Sequence, residues 1–193
     1  MPETELHKAA RDGDINEVTS LIDEEKLNVN EKGAQGRTAL HRALGGGHAE
    51  CAKLLISKGA DVNIIDNLKR TSLHWASMAP APGNVACCEL VFEHGDAEPM
   101  LSHVTKSGST PLHSAAGTGR VDVVRLLVEK QSPQDLKDED GLTPYELAKR
   151  EGLSEIASIL APAGAKGSIS RASSGGAGGG DVGGGGAGCC LLQ

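Results

Sequence analysis

One short spelling recurs four times in phase along the chain, and no other feature constrains the fold as tightly. Thr38-Ala39-Leu40-His41, Thr71-Ser72-Leu73-His74, Thr110-Pro111-Leu112-His113 and Thr143-Pro144-Tyr145-Glu146 follow one another at intervals of 33, 39 and 33 residues. A period of this size marks a stacked repeat: one unit cannot bury its own apolar faces, so neighbouring units must bury them for each other.

The punctuation inside each period reads the same way. Gly47, Gly119 and Gly152 stand nine residues after the Thr, and Gly83 takes that role after a three-residue insertion. Apolar runs at helical spacing follow at residues 54–56, 90–92, 126–128 and 156–160, with Cys51, Cys87 and Val123 one turn earlier on the inward face. A Thr hydroxyl caps the first helix, a Pro just after it gives up an N–H that has no helical partner there, and the Gly breaks the chain between helices. The predicted unit is helix, turn, helix and projecting hairpin loop. A degenerate first copy at Leu6-His7-Lys8-Ala9-Ala10, turning at Gly13, brings the number of units to five.

These spellings, together with Gly59-Ala60-Asp61-Val62-Asn63 and the 33-residue period, resemble the ankyrin repeat family. The resemblance implies an all-α solenoid of about five helix-turn-helix units over residues 1–160, working as a protein-binding scaffold or adaptor. It also implies that His41, His74 and His113, which occupy one equivalent position, hydrogen-bond backbone and the Thr hydroxyl of their own motif. Stacked helix layers lie about 10 Å apart, too far for these rings to share a zinc ion.

Composition removes other classes of function. The chain carries a net charge of −7 and has no basic stripe to neutralise a phosphate backbone, so nucleic acid is not an expected partner. With 2% aromatic residues an aromatic-lined ligand pocket is not expected either, and no small-molecule substrate or cofactor is assigned. Phosphate-cradling loops, nucleophile elbows and the His-Glu-x-x-His pattern are missing from the sequence, so it is not read as an enzyme. Cys87 and Cys88 stand where the next unit has Val123 and Val124, which suits small hydrophobes and not activated thiols. No leader or membrane-spanning run is read, which places the chain in the cytoplasm with its thiols reduced.

Departures from the repeat mark where specificity would sit. The third unit is six residues longer than its neighbours, with three added between its helices around Pro80 and Pro82 and three in the projecting loop at residues 98–107. Insertions in solenoids collect on a binding face or are tolerated as surface loops. The tip after the second unit replaces the usual polar turn with Ile65, Asp66, Asn67, Leu68, Lys69 and Arg70. Ile65, Leu68, Lys69, Arg70, Trp75, Met78, Met100 and His103 are the candidate partner contacts. Trp75 has a second reading, because the resemblance puts an apolar residue packed between neighbouring repeats at its position.

Beyond residue 160 the periodicity stops. Residues 161–188 are rich in Gly, Ala and Ser, with ten Gly between positions 175 and 188; such a composition predicts a flexible linker with an r.m.s. span of roughly 30 Å. The final residues, 189–193, read Cys-Cys-Leu-Leu-Gln. Their last four fit the Cys-aliphatic-aliphatic-X signal for prenylation of Cys190, with Gln favouring farnesyl. One lipid chain anchors weakly, and Cys189 offers palmitoylation as the second signal. The expected location is therefore the cytosolic face of a membrane, with the linker holding the acidic body away from an anionic leaflet. Two alternatives stand beside this one: a soluble adaptor or inhibitor without lipid, and a vicinal Cys pair serving redox or metal binding.

Overall fold

A computed structural model describes residues 2–162. Among these residues eleven α-helices form, ten of them in five consecutive pairs: α1 (Glu5–Asp12) with α2 (Ile15–Asp23), α3 (Ala39–Gly46) with α4 (Ala49–Ser57), α5 (Ser72–Met78) with α6 (Asn84–His94), α8 (Pro111–Gly117) with α9 (Val121–Glu129), and α10 (Pro144–Arg150) with α11 (Ser154–Leu160). The first helices of successive pairs pack against one another as one layer and the second helices as another, which is the all-α solenoid that the period predicts.

Local chemistry explains why each first helix begins where it does. Thr38, Thr71, Thr110 and Thr143 sit extended at the N-caps, and their hydroxyls accept from the backbone N–H three residues on. Pro111 and Pro144 follow in the first turn, where a missing N–H costs nothing. Thr4, two residues before the expected start of the first unit, is the N-cap of α1, its hydroxyl 2.7 Å from His7 Nδ1. The Thr-x-Leu-His spelling is already present at Thr4-Glu5-Leu6-His7.

Small side chains let the layers approach. Ala43, Ala76, Ala115 and Ala148 recur at one position of the first helices and are fully buried, while Leu40, Leu73 and Leu112 fill the space between them. The second helices contribute Cys51, Leu55, Cys87, Val91, Val123, Leu127, Ile156 and Leu160 to the same continuous core. Burying one such Leu stabilises the fold by roughly 1.5–3 kcal/mol.

The structure corrects two expectations about the long third unit. The added residues of its projecting loop fold into a short helix, α7 (Ala97–Ser102). Met100 on that helix is 4% exposed and Leu101 8%, so α7 extends the core, and Met100, expected as a partner contact, has almost no surface to offer one. Gly83 also does not do what Gly47 does. Gly13, Gly47, Gly119 and Gly152 turn with φ between 71° and 76°, whereas Gly83 has φ −81°. What demands glycine at 83 is space, since a Cβ there would lie 1.8 Å from the carbonyl oxygen of Gly47.

No helix among the described residues is long and apolar enough to cross a membrane. Most of the expected linker (residues 161–188) and the two proposed lipidation positions, Cys189 and Cys190, lie outside the described residues.

Candidate functional site

Four histidines tie each unit to the next. His7, His41, His74 and His113 are buried on their first helices. In each, Nδ1 accepts from the Thr N–H of its own motif, at 3.4, 3.0, 3.3 and 3.2 Å. Each Nε2 reaches a carbonyl in the following hairpin, of Arg37, Ile64, Ser109 and Leu142 respectively, at 2.9–3.0 Å. A ring that donates from Nε2 and accepts at Nδ1 is neutral, and burial pushes His41 and His74 down to about 4. These rings are structural, and among the described residues no group of His, Cys, Asp or Glu is placed to hold a metal ion.

The thiols are equally inward. Burial pushes Cys51 and Cys87 up to about 11 and Cys88 up to about 12. All three stay protonated at neutral pH, the reverse of what a nucleophile requires.

The second hairpin tip borders the first-helix layer, where Leu68 and Arg70 line a groove with Met78 at the end of α5. Asp66 organises the second tip: its buried carboxylate accepts from the N–H groups of Leu68 and Arg70 and from Arg70 Nε, at 2.7–2.9 Å. Burial alone would raise its pKa, but these donors and the guanidinium charge bring it below the ordinary carboxylate value. The turn leaves Ile65 and Leu68 exposed and holds Lys69 at φ 59°.

Leu68 and Ile65 line different grooves. One, of about 390 Å³, is bounded by Leu68, Arg70 and Met78 together with Thr105, Lys106 and Glu139. The other is smaller and includes Ile65, Pro99, Met100 and His103. His103 is committed locally, with Nε2 3.0 Å from the Lys69 carbonyl and its ring edge-on to His74 at 6.1 Å. Val104, 42% exposed on the third hairpin, is a surface apolar residue that no repeat comparison singles out, because it sits in the lengthened loop.

Trp75 packs between neighbouring repeats, as the resemblance implies for its position. Its ring lies on α3 of the preceding unit so closely that a Cβ at Gly45 would meet Cε3 at 2.7 Å, yet the residue stays half-buried on the first-helix side. Two guanidiniums cover it: Arg70 at 4.2 Å and Arg37 at 4.9 Å from the ring centroid. Such contacts are worth about 0.5–2 kcal/mol each, most when water is excluded. Burial and the charge of Arg70 lower the pKa of Arg37. Trp75 Nε1, Arg37 Nε and Arg70 Nη2 are inaccessible and find no hydrogen-bond partner among the described residues, at a cost of about 1–3 kcal/mol for each unmet donor.

Arg37 is the residue of this cluster that sequence inspection passes over. The signal was available: Arg37 and Arg70 both directly precede the capping Thr, one 33-residue period apart, and stacking brings equivalent positions of adjacent units together.

Comparison with known proteins gives one consistent result. The family model described as "Ankyrin repeats (3 copies)" matches residues 6–102 and 96–170. The chain is similar to the nuclear factor NF-kappa-B p105 subunit of Gallus gallus, with 31% identity over 74% of this chain and 16% of that protein. It is similar to a transient receptor potential cation channel subfamily A member 1 homolog of Caenorhabditis elegans, with 30% identity over 80% of this chain and 12% of that protein. It also resembles the probable 26S proteasome regulatory subunit p28 of Saccharomyces cerevisiae, with 34% identity over 77% of this chain and 64% of the subunit. The chain thus spans less than a fifth of the first two relatives and just under two thirds of the third.

Proposed function

Since the chain belongs to the ankyrin repeat family, whose repeats serve protein–protein interaction, we propose that it is an adaptor that grips a partner with the first-helix side and hairpin tips of its second, third and fourth units. The observation that carries this reading is Trp75. The chain has one Trp, and it stands half-buried between two arginines beside exposed Leu68, which is the mixture of aromatic, Arg and apolar surface that concentrates binding energy. Two of the relatives are named as subunits, which supports a partner-bound role.

A photo-crosslinking residue in place of Leu68, compared with one in place of Lys53 on the outer helix α4, tests this in cells. Capture of one defined protein from position 68 and none from position 53 supports the docking side; equal capture from both refutes it.

The finer part of the reading is a membrane tether: farnesylation of Cys190, palmitoylation of Cys189 and a Gly-rich spacer between bilayer and repeats. Its support is the spelling of residues 189–193. Intact mass from eukaryotic cells and fractionation of Cys190→Ser against the parent test it. An unmodified mass, with both forms soluble, selects the adaptor or inhibitor without lipid.

A further inference from the structure

We propose that Arg37, Arg70 and Trp75 form a seat for a carboxylate of an acidic segment of the partner protein. The inference rests on the docking side proposed above and supplies the chemistry of what docks there.

Charge balance within the cluster is the first argument. Two guanidiniums share one indole, and the carboxylate beside them, Asp66, pairs with Arg70 and is already occupied by two backbone N–H groups and Arg70 Nε. Arg37 has no carboxylate partner in the described residues; its polar side-chain contact is the amide oxygen of Gln35. The seat is one anion short, and both arginines keep part of their side chains open to solvent, where a partner's carboxylate can reach them. A planar guanidinium fork matches a carboxylate in geometry as well as charge.

The surroundings supply the second argument. The chain as a whole is acidic at −7, yet the tips flanking the seat are not. Residues 31–37 hold Lys32 and Arg37 against Glu31, residues 64–70 hold Lys69 and Arg70 against buried Asp66, and Lys106 is the charged residue of the third tip at 103–109. The fourth tip, with Asp138, Glu139 and Asp140 beside Lys137, reverses the sign. A partner's acidic segment is drawn to the first three tips and repelled by the fourth, which fixes its position along the solenoid. The alternating charges and the apolar edge of Leu68 and Met78 on the adjoining groove suit a peptide better than a nucleic acid or an anionic membrane, which would need an extended basic surface.

Trp75, as the lone Trp, reports on its own site. Emission of the full chain is followed on titration with an eight-residue Glu/Gly peptide and with its Gln/Gly counterpart. The expected result is a saturable change with the Glu peptide and none with the Gln peptide. Arg37→Gln is expected to weaken the Glu peptide about tenfold, Arg37→Lys to retain part of the binding, and Lys53→Gln on the outer helix to leave it unchanged. Equal responses to the two peptides, full binding by Arg37→Gln, or stronger Arg37-dependent binding of phosphatidylserine vesicles or of a single-stranded oligonucleotide overturns the proposal. The crosslinker at position 68 separates this from failure of the docking side. Undiminished capture in Arg37→Gln removes the seat and leaves the docking side; no capture with Arg37-dependent peptide binding does the opposite.

Discussion

Nε2 of His74 donates to the carbonyl oxygen of Ser109 at 3.0 Å and so joins two units across 35 residues of sequence. The same ring accepts the Thr71 N–H at Nδ1 and so must be neutral, and burial holds His74 and its equivalent His41 at about 4, against about 6.5 in an unfolded chain. As pH falls below 6.5 the unfolded state takes up protons that the folded state refuses. Stability from these rings is therefore complete above 6.5 and is lost progressively toward 4. Denaturant midpoints are expected to be flat above pH 7 and to fall by pH 5, with each of the two rings contributing about 2 kcal/mol of loss. A midpoint unchanged between pH 7 and pH 5 contradicts this account.

Two glycines separate space from conformation. Gly152 has open room around a prospective Cβ but turns at φ 71°, whereas Gly83 is conformationally ordinary and pressed against the Gly47 carbonyl. Gly152→Ala is expected to cost about 1–2 kcal/mol through its backbone. Gly83→Ala sets backbone against a Cβ and is expected to cost more, at about 3 kcal/mol. Urea midpoints of the two variants in the reverse order would show that the approach of Gly83 to Gly47 is not as close as described.

Core and tip respond differently to the same deletion. Leu127 is fully buried between α9 and its neighbours and Leu68 is 43% exposed. Leu127→Ala is expected to cost about 2–5 kcal/mol, and Leu68→Ala within about 0.5 kcal/mol of nothing. Equal effects on thermal unfolding would place the helix register one residue out.

Much of this organisation is legible in the sequence because the repeat repeats its chemistry. The Thr-x-Leu-His spelling locates the caps and first helices of four units, the fifth keeping the Thr cap with Glu146 in place of the His; the bonds from each His to the next hairpin come only with the fold. What departs from the period is not legible by period. α7 forms where the loop is three residues longer than in the neighbouring units, and Met100 turns inward because the lengthened loop folds as a helix that buries it against the core. Gly83 looks like a displaced turn glycine until the neighbouring backbone is in view. The pairing of Arg37 with Arg70 over Trp75 was readable in principle, because it joins equivalent positions of adjacent units, but only by reading across the repeat as well as along it.

Thiol chemistry offers a clock for local opening. Cys51, Cys87 and Cys88 are buried and raised to about 11, 11 and 12. Alkylation of these three at pH 7.5, located by peptide mass mapping, is expected to proceed only as the helices open and to accelerate sharply with urea. Labelling of Cys87 at the rate of a free thiol in native buffer would place α6 outside the core.

The hairpin tips are joined to one another by main-chain bonds. Asn67 N–H donates to the Gln35 carbonyl, Lys106 N–H to that of Leu68, and Glu139 N–H to that of Ser107, each at 2.9–3.0 Å. Four loops that would otherwise fluctuate independently are thereby held as the teeth of one comb. A partner arriving at the tips meets a surface already ordered, so little conformational entropy remains to be lost on contact. The same linkage means that a displacement imposed on one tooth is passed to the next through the backbone itself, whatever side chains evolution places at the ends.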